Sequence, residues 1–272
     1  MGQVKDKATE ADSRYKVPNL ERGLRIMELL MDRPQGLSQS ELVSRLGYSK
    51  TSVFRITMTL VEYGYLVRDE ETKSLALSRK LLAMGTKALC ETDLMASAID
   101  VLRNLRDLIK ETMLIGTIAG NEVIVLDQVL GAYPFKFSVD RGARLPIHTS
   151  APAKAMLAFM PERECESIIQ RIEFVRFNDR TITTAELFRE ELNTVREVGY
   201  ALDHGEQLGG IHCVAAPVFD RHGYPIAGVW TTGPADRIPT SALPTIGKQI
   251  VSHVKVISAR LGYGLLDSAL SA

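Results

Sequence analysis

Cysteine is scarce in this chain of 272 residues, and long apolar runs are missing. Cys90, Cys165 and Cys213 are widely spaced and form no Cys-x-x-Cys pair, so the sequence predicts neither a disulfide framework nor a structural metal site. The apolar stretches are short and interrupted by charges, and the N-terminal segment lacks the apolar core of a signal peptide. We therefore expect a cytoplasmic protein with no membrane span and no cofactor.

An excess of charge of either sign is also missing, since the formal net charge is zero. The charges are nevertheless unevenly distributed along the chain. Residues 1–90 carry 15 Lys and Arg against 11 Asp and Glu, and the remainder carries 18 against 22. This asymmetry has the sign expected for a nucleic-acid-binding module at the front of the chain, although it also occurs in proteins that bind no DNA.

The front of the chain has the spacing of two short helices joined by a turn. Apolar residues recur at helical intervals after Asn19, which we expect to cap a first helix that ends before Pro34. Ser38 and Glu41 have the spacing of a capping box and predict a second helix, which ends at Gly47. Residues 1–17 precede this pattern and are predicted to be a mobile arm, which either touches DNA or is a leader without function.

A third helix is predicted from a cap at Ser49 to about Tyr63. Val53, Ile56 and Leu60 form its inward stripe. The opposite face and the first turns then carry donors suited to phosphates and base edges, namely Lys50, Thr51, Ser52, Arg55 and Thr59. Two short helices around a glycine-containing turn are typical of a helix-turn-helix.

The segment YLVRDEETKSLALS predicts two short strands around an acidic turn, with Arg68 and Lys73 at its flanks. This hairpin is either a DNA-binding wing or a hairpin used only for packing. An amphipathic helical connector follows and has a cap at Asp93. The connector is either a dimerisation surface or the cover of a domain core.

The back of the chain mixes strands and helices, which indicates an α+β domain. Helices are predicted at residues 151–159, at 161–171, after a capping box of Thr183 and Glu186, and at about 241–261, and a hairpin surrounds Arg221, His222 and Gly223. We expect an antiparallel sheet that helices cover on one face. The predicted segments are an arm (1–17), a winged helix-turn-helix (18–78), a linker helix (79–92) and an effector-binding domain (93–265).

Several blocks in this order resemble the IclR family of bacterial transcription regulators. They are LERGLRIMELL, SQSELVSRLGYSKTSVFRITMTLVEYGYL, ARLPIHTSAPAKAMLA and GYALDHGEQLGGIHCVAAPVFDRHGYPIAGVWTTGPADRI. The resemblance covers the chain from about Pro18 to Leu261. It implies a winged-helix head that binds operator DNA, a GAF-like effector domain, and a homodimer or dimer of dimers. The function it implies is that of a repressor of a catabolic operon.

The resemblance also places the functional residues. It puts the DNA-reading helix on residues 49–63, where Arg55 either reads bases or braces the domain. The effector pocket is placed at Phe137, Ser150, Ala151, Pro152, Asp203, Cys213, Trp230 and Thr232. Pro152 and Trp230 depart from the small residues that are frequent in the family at these positions, so no specific ligand is transferred.

The residue types in this pocket suit a small organic acid. Ser150 precedes a helix, whose N-terminus attracts a carboxylate, and Asp203, Cys213 and Thr232 offer polar contacts. Trp230 either stacks on the ligand or fills the core.

An enzyme with Cys213 as nucleophile is the alternative function. The neighbouring residue His212 is the nearest candidate base. Adjacent residues of a strand face opposite ways, which argues against a Cys–His pair. No nucleophile elbow, phosphate loop or metal motif is present elsewhere.

Overall fold

The computed structural model describes residues 17–89 and 94–264. Nearly all of the predicted arm, together with Cys90 and the predicted Asp93 cap, therefore lies outside the described residues. The chain divides at residue 91 into two compact units, and each unit is described by itself.

The first unit contains helices and one small hairpin. Its elements are α1 (Pro18–Met31), α2 (Gln39–Leu46), α3 (Lys50–Glu62), β1 (Leu66–Arg68), β2 (Leu75–Leu77) and α4 (Arg79–Leu89). Strands β1 and β2 pair antiparallel. The three helices of the helix-turn-helix and the two strands after it are therefore present in the predicted order.

Local hydrogen bonds explain where the helices of this unit begin and end. The Ser38 hydroxyl accepts from Glu41 N–H while Glu41 accepts from Ser38 N–H, and Gly47 ends α2 with a φ of 68°. Ser49 accepts from Ser52 N–H at the start of α3. The predicted Asn19 cap is wrong. Helix α1 starts at Pro18, whose fixed φ suits a first helical turn.

The core of the first unit is built from α1, α2, α3 and the hairpin. Its buried residues are Ile26, Leu30, Leu37, Leu42, Val53, Leu66 and Leu75. Of the inward stripe predicted for α3, Val53 is fully buried, whereas Ile56 and Leu60 are partly buried against the core. This core fixes which side of α3 faces solvent.

The second unit consists of one sheet and its surrounding helices. Its elements are α5 (Leu94–Ile109), β3 (Thr112–Ala119), β4 (Glu122–Val129), β5 (Arg144–Pro146), α6 (Ala151–Leu157), α7 (Glu162–Ile169), α8 (Ala185–Val198), β6 (Ala201–Asp203), β7 (Ile211–Phe219), β8 (Pro225–Pro234), a 3₁₀ turn (Thr240–Ala242) and α9 (Leu243–Arg260). The six strands pair antiparallel in the order β5-β4-β3-β8-β7-β6.

Helices cover both faces of this sheet, so the expected one-sided cover is wrong. Leu114, Ala215 and Trp230 pack on one face with residues of α6, α7 and α8. The alternate strand residues, among them Ile115 and Val214, pack on the other face with α5 and α9. The central strands are apolar at successive positions because both faces are buried, which is a pattern that period-two alternation does not predict.

The start of α8 also differs from the prediction. The N-cap is Thr184, whose hydroxyl accepts from Leu187 N–H at 3.3 Å, and not Thr183. The helix therefore begins one residue later than a Thr183–Glu186 capping box requires. The buried residues of this helix are Phe188, Leu192 and Val195.

Candidate DNA-binding and effector sites

Helix α3 presents polar side chains away from the core of the first unit. Lys50, Thr51 and Arg55 are exposed. Ser52 lies towards α1, where its hydroxyl accepts from Arg22 Nη1 at 3.2 Å. The Thr59 hydroxyl donates to the Arg55 carbonyl at 3.0 Å. Thr51, Ser52, Arg55 and Thr59 line a groove of about 600 Å³ between α1 and α3.

The remaining predicted DNA contacts lie together on the other side of α3. Lys50, Arg68 and Lys73 line a groove of about 340 Å³, together with Ser38, Gln39, Ser40 and Val43. The groove thus joins the start of α3, the start of α2 and the hairpin. Three basic side chains around one groove would suit an anion such as a DNA phosphate.

The hairpin turn holds its basic residue in a defined conformation. Asp69 Oδ1 accepts from the N–H groups of Glu71 and Thr72, at 3.0 and 2.7 Å. The hydrogen bond from Thr72 N–H is the main reason that the pKa of Asp69 is lowered. Lys73 adopts a φ of 57° and its Nζ lies 3.3 Å from Glu70 Oε2.

Sequence reasoning missed Gln39, the first residue of α2. Its Nε2 is buried and has no hydrogen-bond partner within residues 17–89 and 94–264. A buried amide donor without an acceptor is costly, so an acceptor supplied by a ligand would stabilise it. The signal in the sequence was the position of Gln39 directly after the Ser38 cap, beside Ser40.

In the second unit, three predicted effector residues form one row across the sheet. Asp203 on β6 is opposite Cys213 on β7, and Cys213 is opposite Thr232 on β8. The Cys213 thiol donates to Thr232 Oγ1 at 3.4 Å. Asp203 Oδ1 accepts from the N–H groups of Gly205 and Glu206, at 2.9 and 2.7 Å. Burial raises the pKa of the Asp203 carboxyl above its usual range.

Helix α6 packs on this side of the sheet, against β6, β7 and β8. Ser150 occupies its N-cap position without a side-chain capping bond. The hydroxyls of Thr149 and Ser150 are buried, and both lack a hydrogen-bond partner in the described part of the chain. Ala151 and Pro152 are buried after them. Helix α6 has only seven residues and Pro152 has no N–H, so its N-terminus is a weak site for an anion. The two buried hydroxyls are therefore the feature that points more specifically to a ligand.

Trp230 and Phe137 occupy different surroundings. Trp230 is 2% exposed and belongs to the apolar core between the sheet and α6. A Cβ at Gly116 would lie 3.1 Å from the indole ring, so the ring fills the space that this glycine leaves. Phe137 is partly buried, its carbonyl accepts from Thr112 Oγ1, and its ring contacts Phe135 edge-on with centroids 6.2 Å apart.

A buried charged cluster beside this row was also missed from the sequence. Lys154 on α6 is fully buried and donates to Glu206 and to the Leu202 carbonyl, the latter at 3.1 Å. Its Nζ lies 3.3 Å from Glu191 Oε1. Burial is the main reason that the pKa of Glu206 is raised to about 7. A lysine inside the apolar run SAPAKAMLA was the available signal.

Family models match both units of this chain. The model described as Bacterial transcriptional regulator IclR C-terminal matches residues 86–259, which is more than half of the chain, and the IclR helix-turn-helix domain matches residues 19–70. The chain belongs to the IclR family. The family assignment makes it a DNA-binding transcriptional regulator with an α+β fold, and the expected resemblance is confirmed.

Relatives and solved structures of the IclR family agree with this assignment. The chain is 33% identical over 224 residues to the HTH-type transcriptional regulator KdgR of Escherichia coli, covering 82% of this chain and 85% of the relative. It is 27% identical over 251 residues to the Transcriptional repressor IclR of Escherichia coli, covering 92% and 91%. The crystal structure of Thermotoga maritima IclR matches with a TM-score of 0.65 and 27% identity, covering 90% of this chain and 98% of that one.

As a member of the IclR family, the chain is a regulator and not an enzyme. The geometry of the alternative nucleophile agrees, because burial raises the pKa of the Cys213 thiol and keeps it protonated. His212 points to the opposite side of β7, where its Nδ1 contacts the Ile238 carbonyl at 2.8 Å.

Within residues 17–89 and 94–264, no helix is both long and apolar enough to cross a bilayer. The same residues contain no cluster of three or more His, Cys, Asp and Glu side chains suited to a metal ion.

Proposed function

We propose that this chain is a repressor that binds a symmetric operator as a homodimer or dimer of dimers and responds to a small carboxylate. The observation that carries DNA binding is the pair of grooves along α3. Donors that suit base edges line one side, and three basic residues line the other. One helix-turn-helix head contacts only a short half-site, so two heads require two half-sites. The name of one of the relatives, the Transcriptional repressor IclR of Escherichia coli, supports the sign of regulation.

Selection from a library of randomised duplex DNA tests this function directly. We expect the wild-type chain to enrich an inverted repeat whose half-sites lie about one helical turn apart or a multiple of it. Mobility shift and sedimentation then measure the stoichiometry of the complex. A chain that enriches no sequence, or that binds its site as a monomer, would contradict the proposal.

The effector site that we propose lies between the start of α6 and the row on the sheet. The buried hydroxyls of Thr149 and Ser150 are donors without acceptors in the described part of the chain. The Thr232 hydroxyl lies in the row on the sheet, where its Oγ1 accepts from the Cys213 thiol. A carboxylate offers two acceptor oxygens and would remove the cost of these buried donors. Asp203, with its raised pKa, can donate to the ligand when it is protonated.

Substitution of Thr232 by Val tests this site because it removes the hydroxyl and keeps the shape. We expect a carboxylate from a panel of small organic acids to raise the melting temperature of the wild type with concentration, by mass action. In Thr232→Val its affinity should fall about fivefold, the effect of about 1 kcal/mol for one hydrogen bond. Emission of Trp230, the only tryptophan, reports unfolding of the second unit.

Thr231→Val is the matched control, because the Thr231 hydroxyl lies on the opposite face and donates to the Thr112 carbonyl. This control should lower stability and leave ligand affinity unchanged. An effector whose affinity is equal in wild type and Thr232→Val would place the sensing site elsewhere.

A further inference from the structure

An exposed aromatic side chain lies on α3, the helix whose donors the proposed function assigns to the base edges of DNA. Phe54 is the fifth residue of α3 and is 50% exposed. The exposed residues around it, Lys50, Thr51 and Arg55, are all hydrogen-bond donors. The Phe54 side chain has no hydrogen-bonding group. Contacts of the neighbouring donors with DNA therefore do not explain why an aromatic ring is exposed at this position.

The helical repeat places Phe54 at the edge of the exposed face. The buried residues of α3 are Val53 and Thr57. At about 100° per residue, Phe54 is rotated by about 100° from Val53. By the same repeat, Arg55 lies further round on the exposed face, and Lys50 lies on the near side, towards the groove with Arg68. Phe54 therefore stands between the outward donors and the basic groove.

This position suits one feature of the DNA major groove. Thymine carries a methyl group at C5, which is the apolar group that base pairs display there, and apolar side chains contact it. A phenyl ring beside donors for base edges and phosphates is placed to cover such a methyl group, and both apolar surfaces then leave water. We propose that Phe54 contacts a thymine methyl group and specifies thymine at one position of each half-site; this inference rests on the proposed DNA binding.

Replacement of thymine by deoxyuridine tests the contact, because it removes only the methyl group. The probe is the duplex that the wild-type chain enriches from a randomised library, with each thymine replaced in turn. For one thymine in each half-site, we expect the wild type to lose about fourfold in affinity per half-site, the factor for one buried methyl group. Phe54→Ala should bind the thymine and deoxyuridine duplexes equally.

Two further variants keep this test specific. Tyr63→Ala removes an aromatic side chain that is 64% exposed at the end of the same helix, and it should keep the full deoxyuridine effect. Phe54→Leu keeps an apolar contact and should retain part of it. Circular dichroism of each variant verifies that the helices are folded.

The outcomes separate this inference from the proposed function. If the wild type enriches no duplex, DNA binding itself fails, and the methyl contact fails with it. A wild type that enriches a duplex but tolerates every deoxyuridine overturns the methyl contact alone. An equal deoxyuridine effect in wild type and Phe54→Ala also overturns the methyl contact. If Phe54→Ala in addition loses self-association in sedimentation, this face would be assigned to contact with a second copy of the chain.

Discussion

Substitution of Lys154 by Met is expected to destabilise the second unit by about 3–5 kcal/mol, because it leaves Glu206 buried without its cation. Lys154 is fully buried, with 0% of its surface exposed, and Glu206 is 5% exposed. Their ion pair joins α6 to the loop after β6. Urea unfolding followed by the emission of Trp230 measures the free energy of unfolding of this unit.

The matched control replaces both partners with apolar residues. Lys154→Met combined with Glu206→Met should recover most of the loss, because a buried ion pair exchanged for well-packed apolar side chains is often neutral. Glu191, which is 30% exposed, keeps access to water in both variants. A single variant as stable as the wild type would show that the pair contributes little to folding.

The pH dependence of the same pair has a defined sign. Glu206 has an ordinary pKa of 4.5, and burial raises it to about 7 in the folded chain. The folded state therefore binds this proton more tightly than the unfolded state does, and the resulting stability is complete below about pH 4.5 and is lost as the pH rises through about 7. The free energy of unfolding of the wild type, measured relative to Glu206→Gln, should fall across this window. A difference that is constant with pH would contradict the raised pKa.

The second large effect is expected in DNA binding by the Lys50→Ala, Arg68→Ala variant. Both side chains are exposed and line the groove between α2, α3 and the hairpin. Each lost phosphate contact reduces the slope of log affinity against log salt by about 1. We therefore expect a slope lower by about 2 per half-site, hence about 4 for a dimer on both half-sites, and an affinity lower by roughly 10- to 100-fold per half-site at moderate salt. Mobility-shift titrations on the enriched duplex at several salt concentrations measure both.

A control variant that loses the same number of positive charges separates the effect of lost phosphate contacts from the effect of a lower net charge. Arg163→Ala, Lys248→Ala removes two exposed basic side chains from the second unit, and it should keep the wild-type slope. An unchanged slope in the Lys50→Ala, Arg68→Ala variant would remove the groove from the DNA-binding surface.

Much of the first unit was predictable because its signals are local. The Ser38–Glu41 capping box, the left-handed Gly47 and the Ser49 cap act within three or four residues, and each stands where the sequence predicted it. The start of α1 was missed because Pro18 forms a first turn without a side-chain cap. The start of α8 was missed because the adjacent residues Thr183 and Thr184 both have a side chain suited to an N-cap.

The candidate sites were predictable only in part, and through the family resemblance rather than through local signals. Asp203, Cys213 and Thr232 came from the family resemblance, and strand register brings these three side chains into one row. Gln39 and Phe54 carry no motif. Their importance follows from a buried amide without an acceptor and from an exposed ring, which are properties that only a folded chain has.

The sequence by itself determined the order of the elements, the family and the helix-turn-helix, because caps, turn glycines and apolar periodicity act between near neighbours. Only the tertiary structure decided that the sheet is covered on both faces, that Trp230 fills the core, and that Lys154 is buried. Lys154 meets Glu191 and Glu206 across 37 and 52 residues of chain. A charge is buried where distant partners compensate for its lost hydration, and no local pattern records which partners the fold brings together.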